Sequence, residues 1–192
     1  FTNKFVKTEG FLKEQKVDKF IYRGVFGTQK KGGVINNAFN LNLKNIANTH
    51  VIKLGDELLA LWEAAGPHSL DPNNLETNGL TTLKGVLKKN EAFSAHPKVD
   101  FNSNSADEVL ITFGVQTGPT STIRLMEFSN SGKNSGKILF DRKDKLKGFA
   151  FLHDFAITQN WAIFLQNAID FNPLPFVMGQ KGAAQCLKSN PK

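Results

Sequence analysis

The stretch VLITFGVQ, residues 109–116, decides the fold class because its bulky apolar side chains recur at every second position. Val109, Ile111, Phe113 and Val115 share one face of an extended chain, and this period of two is typical of a β-strand. Further candidate strands cover residues 49–54, 57–63, 122–128, 137–141, 149–157 and 161–169. Clusters of Gly, Asn, Ser and Asp that favour turns separate them. Helical signals, at residues 11–20 and 80–88, are weak. The sequence therefore predicts an all-β architecture with a strand rhythm that suits a β-propeller.

Charge and composition narrow the classes of function. The 192 residues include 24 Lys and Arg against 17 Asp and Glu, a net charge of +7. Because the basic residues are spread along the chain, we expect no nucleic-acid partner, and we interpret residues 140–149 as a solvated loop rather than a phosphate-binding patch. The one cysteine, Cys186, favours a reducing, cytoplasmic compartment. Seventeen Phe against one Tyr suit a dry interior or an apolar tunnel.

Two histidines are the leading candidates for chemistry, since the sequence lacks the G-x-S-x-G, P-loop, H-E-x-x-H and C-x-x-C motifs. His96 lies in SAHPKVD, residues 94–100, and His153 lies in FAFLHDFAIT, residues 149–158. Neutral imidazole is the commonest metal ligand, but a histidine among apolar neighbours is more often a hydrogen-bonded core residue. The residues alone leave both interpretations open.

Glu63 and Asp154 are the carboxylates that bear on these histidines. Glu63 alternates with Leu59 and Leu61, so its carboxylate faces the buried side, where it needs an N–H donor. It either orients a metal-bound imidazole or reaches water at the strand end. Asp154 follows His153 directly, and neighbours in a strand face opposite ways, so we expect a turn or capping role for it.

Four segments, read together, resemble the carotenoid cleavage oxygenase family, most closely its bacterial apocarotenoid oxygenases. They are FVKTEGFLKEQKVDKFIYRGVFG, LKNIANTHVIKLGDELLALWEAAGPHSLDP, FSAHPKVD and FAFLHDFAITQNWAIFLQN. The resemblance implies a seven-bladed β-propeller in which four histidines hold Fe(2+) on the axis. Residues 1–192 would be a fragment of that single catalytic domain. His96 and His153 would be the first two ligands, and the other two would lie beyond residue 192.

The resemblance also implies roles for residues around the metal. Thr49 is similar to a threonine whose methyl group crowds one open iron position. Glu63 is similar to a glutamate that hydrogen-bonds an iron-bound histidine, which we expect to be His153. Trp62 and Phe151 resemble aromatic residues near the substrate tunnel.

Two further histidines carry no implied metal role. His50 stands where the family pattern has an asparagine, and nothing in the sequence suggests that it binds metal. His68 matches a loop histidine that is not a ligand.

The activity that the resemblance implies is iron(II)-dependent oxidative cleavage of a conjugated double bond in carotenoids or apocarotenoids, giving aldehyde or ketone products. The partners would be dioxygen, an apolar polyene and a membrane surface, which Val34, Ile35 and Phe39 would contact beside Lys30 and Lys31. These apolar residues could equally pack under a blade. A non-catalytic propeller that binds lipid or protein, and a retinoid isomerase of the same family, remain as alternatives.

Overall fold

Strands dominate the computed structural model, which describes residues 1–27, 29–41, 43–101 and 108–190. The strands are β1 (His50–Leu54), β2 (Glu57–Leu61), β3 (His68–Leu70), β4 (Thr77–Leu80), β5 (Lys98–Phe101), β6 (Glu108–Gln116), β7 (Ser121–Ser129), β8 (Ile138–Leu146), β9 (Ala156–Ile157), β10 (Ala162–Ile163), β11 (Ile169–Phe171) and β12 (Leu187–Ser189). The helices are α1 (Glu9–Val17), α2 (Gly33–Asn37) and α3 (Pro173–Val177). A mostly β fold is therefore confirmed, with short helices added. In the described ranges no helix is long and apolar enough to cross a bilayer.

The chain forms two compact units. The first contains residues 1–8 and 47–167, and the second contains residues 9–46 and those from Ala168 onward. The predicted histidines, Glu63 and the tunnel aromatics all lie in the first unit, whereas the predicted membrane-contact residues lie in the second.

The first unit is built on two antiparallel four-stranded meanders, β1-β2-β3-β4 and β5-β6-β7-β8. Such a meander is the blade unit of a β-propeller. In the first one, Gly55 adopts the left-handed conformation (φ 62°) that allows a tight turn between Leu54 and Glu57. His50 consequently pairs with Leu61 at the opposite end of this hairpin. That these meanders are blades of a seven-bladed propeller stays a prediction.

Apolar clusters cover both faces of the second meander. Leu110 of β6 belongs to the same cluster as Met126, whereas Phe113 of the same strand belongs to a second cluster with Leu152 and Phe155. The period of two that predicted this strand is therefore confirmed, and each face of β6 has its own buried partners.

The second unit is organised around Arg23, which is fully buried. Its guanidinium group donates hydrogen bonds to the backbone carbonyl groups of Asn37, Asn40, Phe176 and Lys181. The guanidinium carbon also lies 3.9 Å from the centre of the Phe176 ring. Arg23 thereby joins α2 and the residues after it to α3 and the residues after it, and β11 pairs with β12 in the same unit.

The interpretation of residues 140–149 as a solvated loop is wrong for most of that stretch. Residues 140–146 belong to β8, which pairs with β7 and is the last strand of its sheet. Residues 138–145 are all exposed. Charged side chains are typical of such edge strands because they oppose pairing with another chain, which is why this strand has the composition of a loop.

The strand predicted over residues 149–157 is wrong except at Ala156–Ile157, and of residues 161–169 only Ala162–Ile163 and Ile169 are extended strand. In the first case side chains replace ladder bonds: Ser121 Oγ accepts from the Ala150 N–H group, and Asp154 Oδ1 accepts from the Phe155 N–H group. His153 therefore lies in an irregular segment. His68, expected in a loop, is instead buried in β3.

Candidate metal centre

His96 is half-buried and lies directly before β5, in a turn whose preceding residues Ser94 and Ala95 are buried. The Ser94 N–H group donates to the carbonyl oxygen of Phe113 at 2.6 Å, which attaches the turn to β6. Ser94 Oγ then accepts from the His96 N–H group at 3.0 Å. Both bonds restrict the backbone at His96, and they therefore fix the position from which its side chain extends.

His153 lies between two anchored apolar side chains. Leu152 and Phe155 are buried, and the Phe155 ring meets the Phe113 ring edge-on with 5.2 Å between centroids. The side chain of His153 itself is 53% exposed. The anchors on either side thus hold the irregular segment on β6 while the imidazole stays accessible.

The two imidazoles converge. His96 Nε2 lies 3.0 Å from His153 Nε2, and the ring centroids are 4.5 Å apart. On the far side of its ring, His153 Nδ1 lies 3.1 Å from Glu63 Oε1. A carboxylate accepts hydrogen bonds only, so the Nδ1 proton of His153 points at Glu63 and its Nε2 lone pair points at His96.

This arrangement fits a metal ion. Two nitrogen ligands that each lie about 2.1 Å from one ion are themselves about 3.0–3.4 Å apart, for ligand angles from octahedral to tetrahedral. The observed Nε2–Nε2 distance of 3.0 Å lies within that range. The carboxylate on the outer nitrogen is the usual partner of a metal-bound histidine. Within the described part of the chain, no three His, Cys, Asp or Glu side chains gather to hold a metal, so the described residues offer only this pair of imidazoles as candidate ligands.

Glu63 reaches His153 from the end of the β1–β2 hairpin. Its side chain is 16% exposed, and Glu63 Oε2 is buried without a hydrogen-bond partner among the described residues. A desolvated carboxylate with one N–H donor interacts strongly with that donor. Of the two interpretations of Glu63, the structure therefore agrees with the one in which the carboxylate contacts an imidazole rather than water.

The other predicted site residues lie close by in the fold. The Thr49 N–H group donates to the Leu61 carbonyl at 3.0 Å, which extends the β1–β2 ladder to the end where Trp62 and Glu63 follow. Trp62 is buried, whereas Thr49 is exposed. Phe151 is half-buried, two residues before His153. The hairpin end thus carries three of the predicted residues, and the segment with His153 carries a fourth.

Sequence reasoning missed a contact of His50. Its Nδ1 lies 2.8 Å from the carbonyl oxygen of Ala95, so Nδ1–H donates to the residue before His96. The rings of His50 and His96 are 6.4 Å apart between centroids. The departure of His50 from the family's asparagine was the available signal.

Sequence reasoning also missed the ion pair of Lys98 with Asp154, which spans 2.8 Å. The hydrogen bond from Lys98 holds the pKa of the Asp154 carboxyl below its ordinary value, against a smaller opposing effect of burial. Asp154 Oδ1 accepts from the Phe155 N–H group at 2.7 Å as well, which is a local turn contact of the expected kind. Opposite charges within two positions of the two histidines were the signal for the pair.

Comparison with known proteins assigns the family. A family model described as retinal pigment epithelial membrane protein matches residues 1–192. Apocarotenoid-15,15'-oxygenase from Synechocystis is 46% identical over 193 residues, covering 100% of this chain and 39% of that protein. Resveratrol cleavage oxygenase 1 from Aspergillus fumigatus is 29% identical, covering 85% of this chain and 30% of that protein.

Comparison with solved structures supports the same family. Cobalt-substituted apocarotenoid oxygenase from Synechocystis matches with a TM-score of 0.92 at 45% identity, covering 98% of this chain and 39% of that one. The chain thus spans about two fifths of the length of this relative. The matches in sequence and in structure show that the chain belongs to the retinal pigment epithelial membrane protein family, the carotenoid cleavage oxygenases that its sequence resembles.

Proposed function

We propose that residues 1–192 carry half of an iron(II) site in an enzyme that oxidatively cleaves a conjugated double bond of carotenoids or apocarotenoids. The observation that carries the proposal is the 3.0 Å approach of His96 Nε2 to His153 Nε2. The reaction class comes from the relatives, whose names include an apocarotenoid oxygenase and a resveratrol cleavage oxygenase. In this proposal the two remaining histidine ligands would come from sequence outside residues 1–192.

The chain's own residues prepare the site for the cation. Glu63 Oε1 accepts a hydrogen bond from His153 Nδ1–H, which fixes the tautomer and raises the basicity of the Nε2 lone pair. The turn at Ser94 fixes the backbone at His96. Neutral imidazoles suit Fe(2+) because they leave its charge uncompensated. Bound Fe(2+) would supply the centre at which dioxygen is activated toward the polyene.

Thr49, Trp62 and Phe151 would shape the space beside the ion. Phe151 is half-buried and offers apolar surface that favours a polyene over water, whereas Trp62 is buried and would back this space. Thr49 would restrict one open position of the ion with its methyl group. The products would be two carbonyl compounds, aldehydes or ketones, each shorter than the substrate.

The test uses the full-length protein, meaning the product of the complete reading frame that contains residues 1–192. It is loaded with Fe(2+) without oxygen and then given an apocarotenoid and air, with oxygen uptake and product masses as readouts. We expect one equivalent of iron, oxygen consumption and shortened carbonyl products. His96→Ala and His153→Ala should each lose bound iron and cleavage, whereas the matched histidine variant His50→Asn should keep a full equivalent of iron.

Each other outcome identifies a rival function. Isomerised products with an intact carbon skeleton would indicate a retinoid isomerase. Apocarotenoid binding without oxygen uptake in iron-loaded protein would indicate a non-catalytic propeller. Absence of stoichiometric iron in wild-type protein would refute the proposed site itself.

We also propose a cytoplasmic protein that contacts the membrane surface through Val34, Ile35 and Phe39. These side chains are 49%, 90% and 74% exposed, respectively. Lys30 and Lys31 lie close to them in sequence, and such a basic rim beside apolar side chains favours anionic headgroups.

Vesicle co-sedimentation of the full-length protein tests the contact. Ile35→Asp and Phe39→Asp should each release the protein from phosphatidylserine-containing vesicles, since each places a charge among lipid tails. Leu12→Asp is the matched control, because Leu12 is also exposed but lies on α1. Equal sedimentation of all variants would contradict the proposed contact.

A further inference from the structure

We infer that the ion pair between Lys98 and Asp154 is a positioning element, which holds the two histidine-bearing segments in register so that His96 and His153 converge on one metal ion. The inference rests on the proposed function, because it explains how the proposed half-site is kept in shape. Neither residue is assigned a contact with the metal or the substrate.

The location of the pair is the first argument. Lys98 is the first residue of β5, two positions after His96, and Asp154 directly follows His153. The Lys98 ammonium nitrogen lies 2.8 Å from Asp154 Oδ1 and 5.7 Å from the centre of the Phe155 ring. One side chain of the first histidine segment thus contacts two consecutive residues of the second.

The anchoring of each segment is the second argument. The first is attached to β6 by the bond from Ser94 N–H to the Phe113 carbonyl, and the second by packing of Phe155 on the Phe113 ring. These anchors act on each segment separately. The ion pair joins the segments directly, beside the contact between the imidazoles.

The chemistry of the imidazoles is the third argument. In the absence of metal a proton on His96 Nε2 can bridge to His153 Nε2, but a cation held by both histidines would use both Nε2 lone pairs, and that hydrogen bond would be lost. A link that does not use the ring nitrogens keeps the segments together in both states. Preorganisation of this kind raises affinity because less order has to be imposed on binding.

The expected effect is moderate, since the side chains of Lys98 and Asp154 are 32% and 50% exposed and solvent screens their attraction. Charge reversal at either position places like charges opposite each other. Lys98→Glu or Asp154→Lys should weaken cobalt(II) binding by the full-length protein about three- to tenfold. The visible absorption bands of bound cobalt(II), which report ligand geometry, should shift or broaden.

The double variant Lys98→Glu/Asp154→Lys provides the decisive measurement. It restores an ion pair of opposite polarity, so cobalt(II) affinity and the absorption bands should return most of the way to wild type. A residue that mattered only for general stability would show no such recovery. The matched control reverses the exposed pair Glu9–Lys13 on α1 and should leave cobalt(II) binding unchanged.

The outcomes separate this inference from the proposed function. Wild-type protein that binds no cobalt(II) would overturn the proposed metal site and the inference with it. Wild-type binding with unchanged affinity in both single variants, or a double variant as weak as the singles, would overturn the inference alone. Should a reversal variant fail to fold, Asp154→Asn removes the pair without repulsion and should still weaken cobalt(II) binding about twofold or more.

Discussion

Replacement of Glu63 by glutamine tests how the outer partner of His153 controls the metal site. Glu63 Oε1 lies 3.1 Å from His153 Nδ1, and Glu63 Oε2 is buried with no hydrogen-bond partner in the part of the chain that the structure describes. Glutamine keeps the shape, and its amide oxygen can still accept a hydrogen bond from His153 Nδ1–H. It removes the negative charge, and it places an NH₂ group where the structure offers Oε2 no hydrogen-bond partner.

The magnitude follows from the kind of hydrogen bond that is lost. A hydrogen bond to a charged group contributes about 1.5–3 kcal/mol, and a neutral one contributes about 0.5–1.5 kcal/mol. The difference of roughly 1–1.5 kcal/mol corresponds to about tenfold in affinity. The low exposure of the Glu63 side chain, 16%, means that solvent screening reduces this value little. Glu63→Ala should lose more, up to about 100-fold, because the Nδ1 proton then lacks its acceptor.

The assay is competition between the full-length protein and a chelator of known affinity for cobalt(II), at fixed pH. Glu76→Gln is the matched control, since Glu76 is an exposed carboxylate that pairs with Lys4 and Lys7. It should change cobalt(II) affinity by less than about twofold. If Glu63→Gln bound cobalt(II) as tightly as wild type while His153→Ala lost it, Glu63 would not act on the metal through His153.

Three further predictions concern stability, measured by denaturant unfolding of the full-length protein. Gly114→Ala should lower the free energy of unfolding by about 2 kcal/mol or more, because the new Cβ would lie 2.1 Å from the Ala92 carbonyl oxygen. The control Gly118→Ala, whose Cβ would lie 3.4 Å from its nearest atom, should lower it by less than about 0.5 kcal/mol. Equal effects of the two variants would contradict the close approach of Gly114 to Ala92. Arg23→Met should lower the free energy of unfolding by about 2–4 kcal/mol, because the carbonyl groups that Arg23 binds lose their hydrogen-bond donor. A change under about 0.5 kcal/mol would refute the organising role of Arg23. Burial lowers the pKa of His68, so as pH falls the unfolded chain binds a proton at this histidine before the folded protein does. The free energy of unfolding should therefore decrease as pH drops below about 6.5. His68→Gln should flatten this part of the pH profile, and an unaltered profile would contradict the role of His68.

Local patterns in the sequence were sufficient where side chains on one face share one environment. The alternation at Val109–Val115 predicted β6, because Ile111, Phe113 and Val115 belong to or pack against one apolar cluster, and an extended backbone places every second residue on the same face. The apolar pattern did not predict β8, because this exposed edge strand has no buried face that requires apolar side chains. It also failed for residues 150–155, where side-chain oxygens, rather than a neighbouring strand, accept hydrogen bonds from the backbone.

The family and its candidate ligands were within reach of the sequence, and the comparisons confirm the family. By itself the sequence determined which residue types stand at 63, 96 and 153, and therefore which chemistry is available. Only the tertiary structure decided that these side chains meet, because contacts between residues so far apart depend on how the meanders pack rather than on any local spacing. The same holds for the contact of His50 with the Ala95 carbonyl and for the ion pair of Lys98 with Asp154. The residue pattern of β1 or of β5 predicts which residues share a face, but it does not predict which residue of another segment they contact.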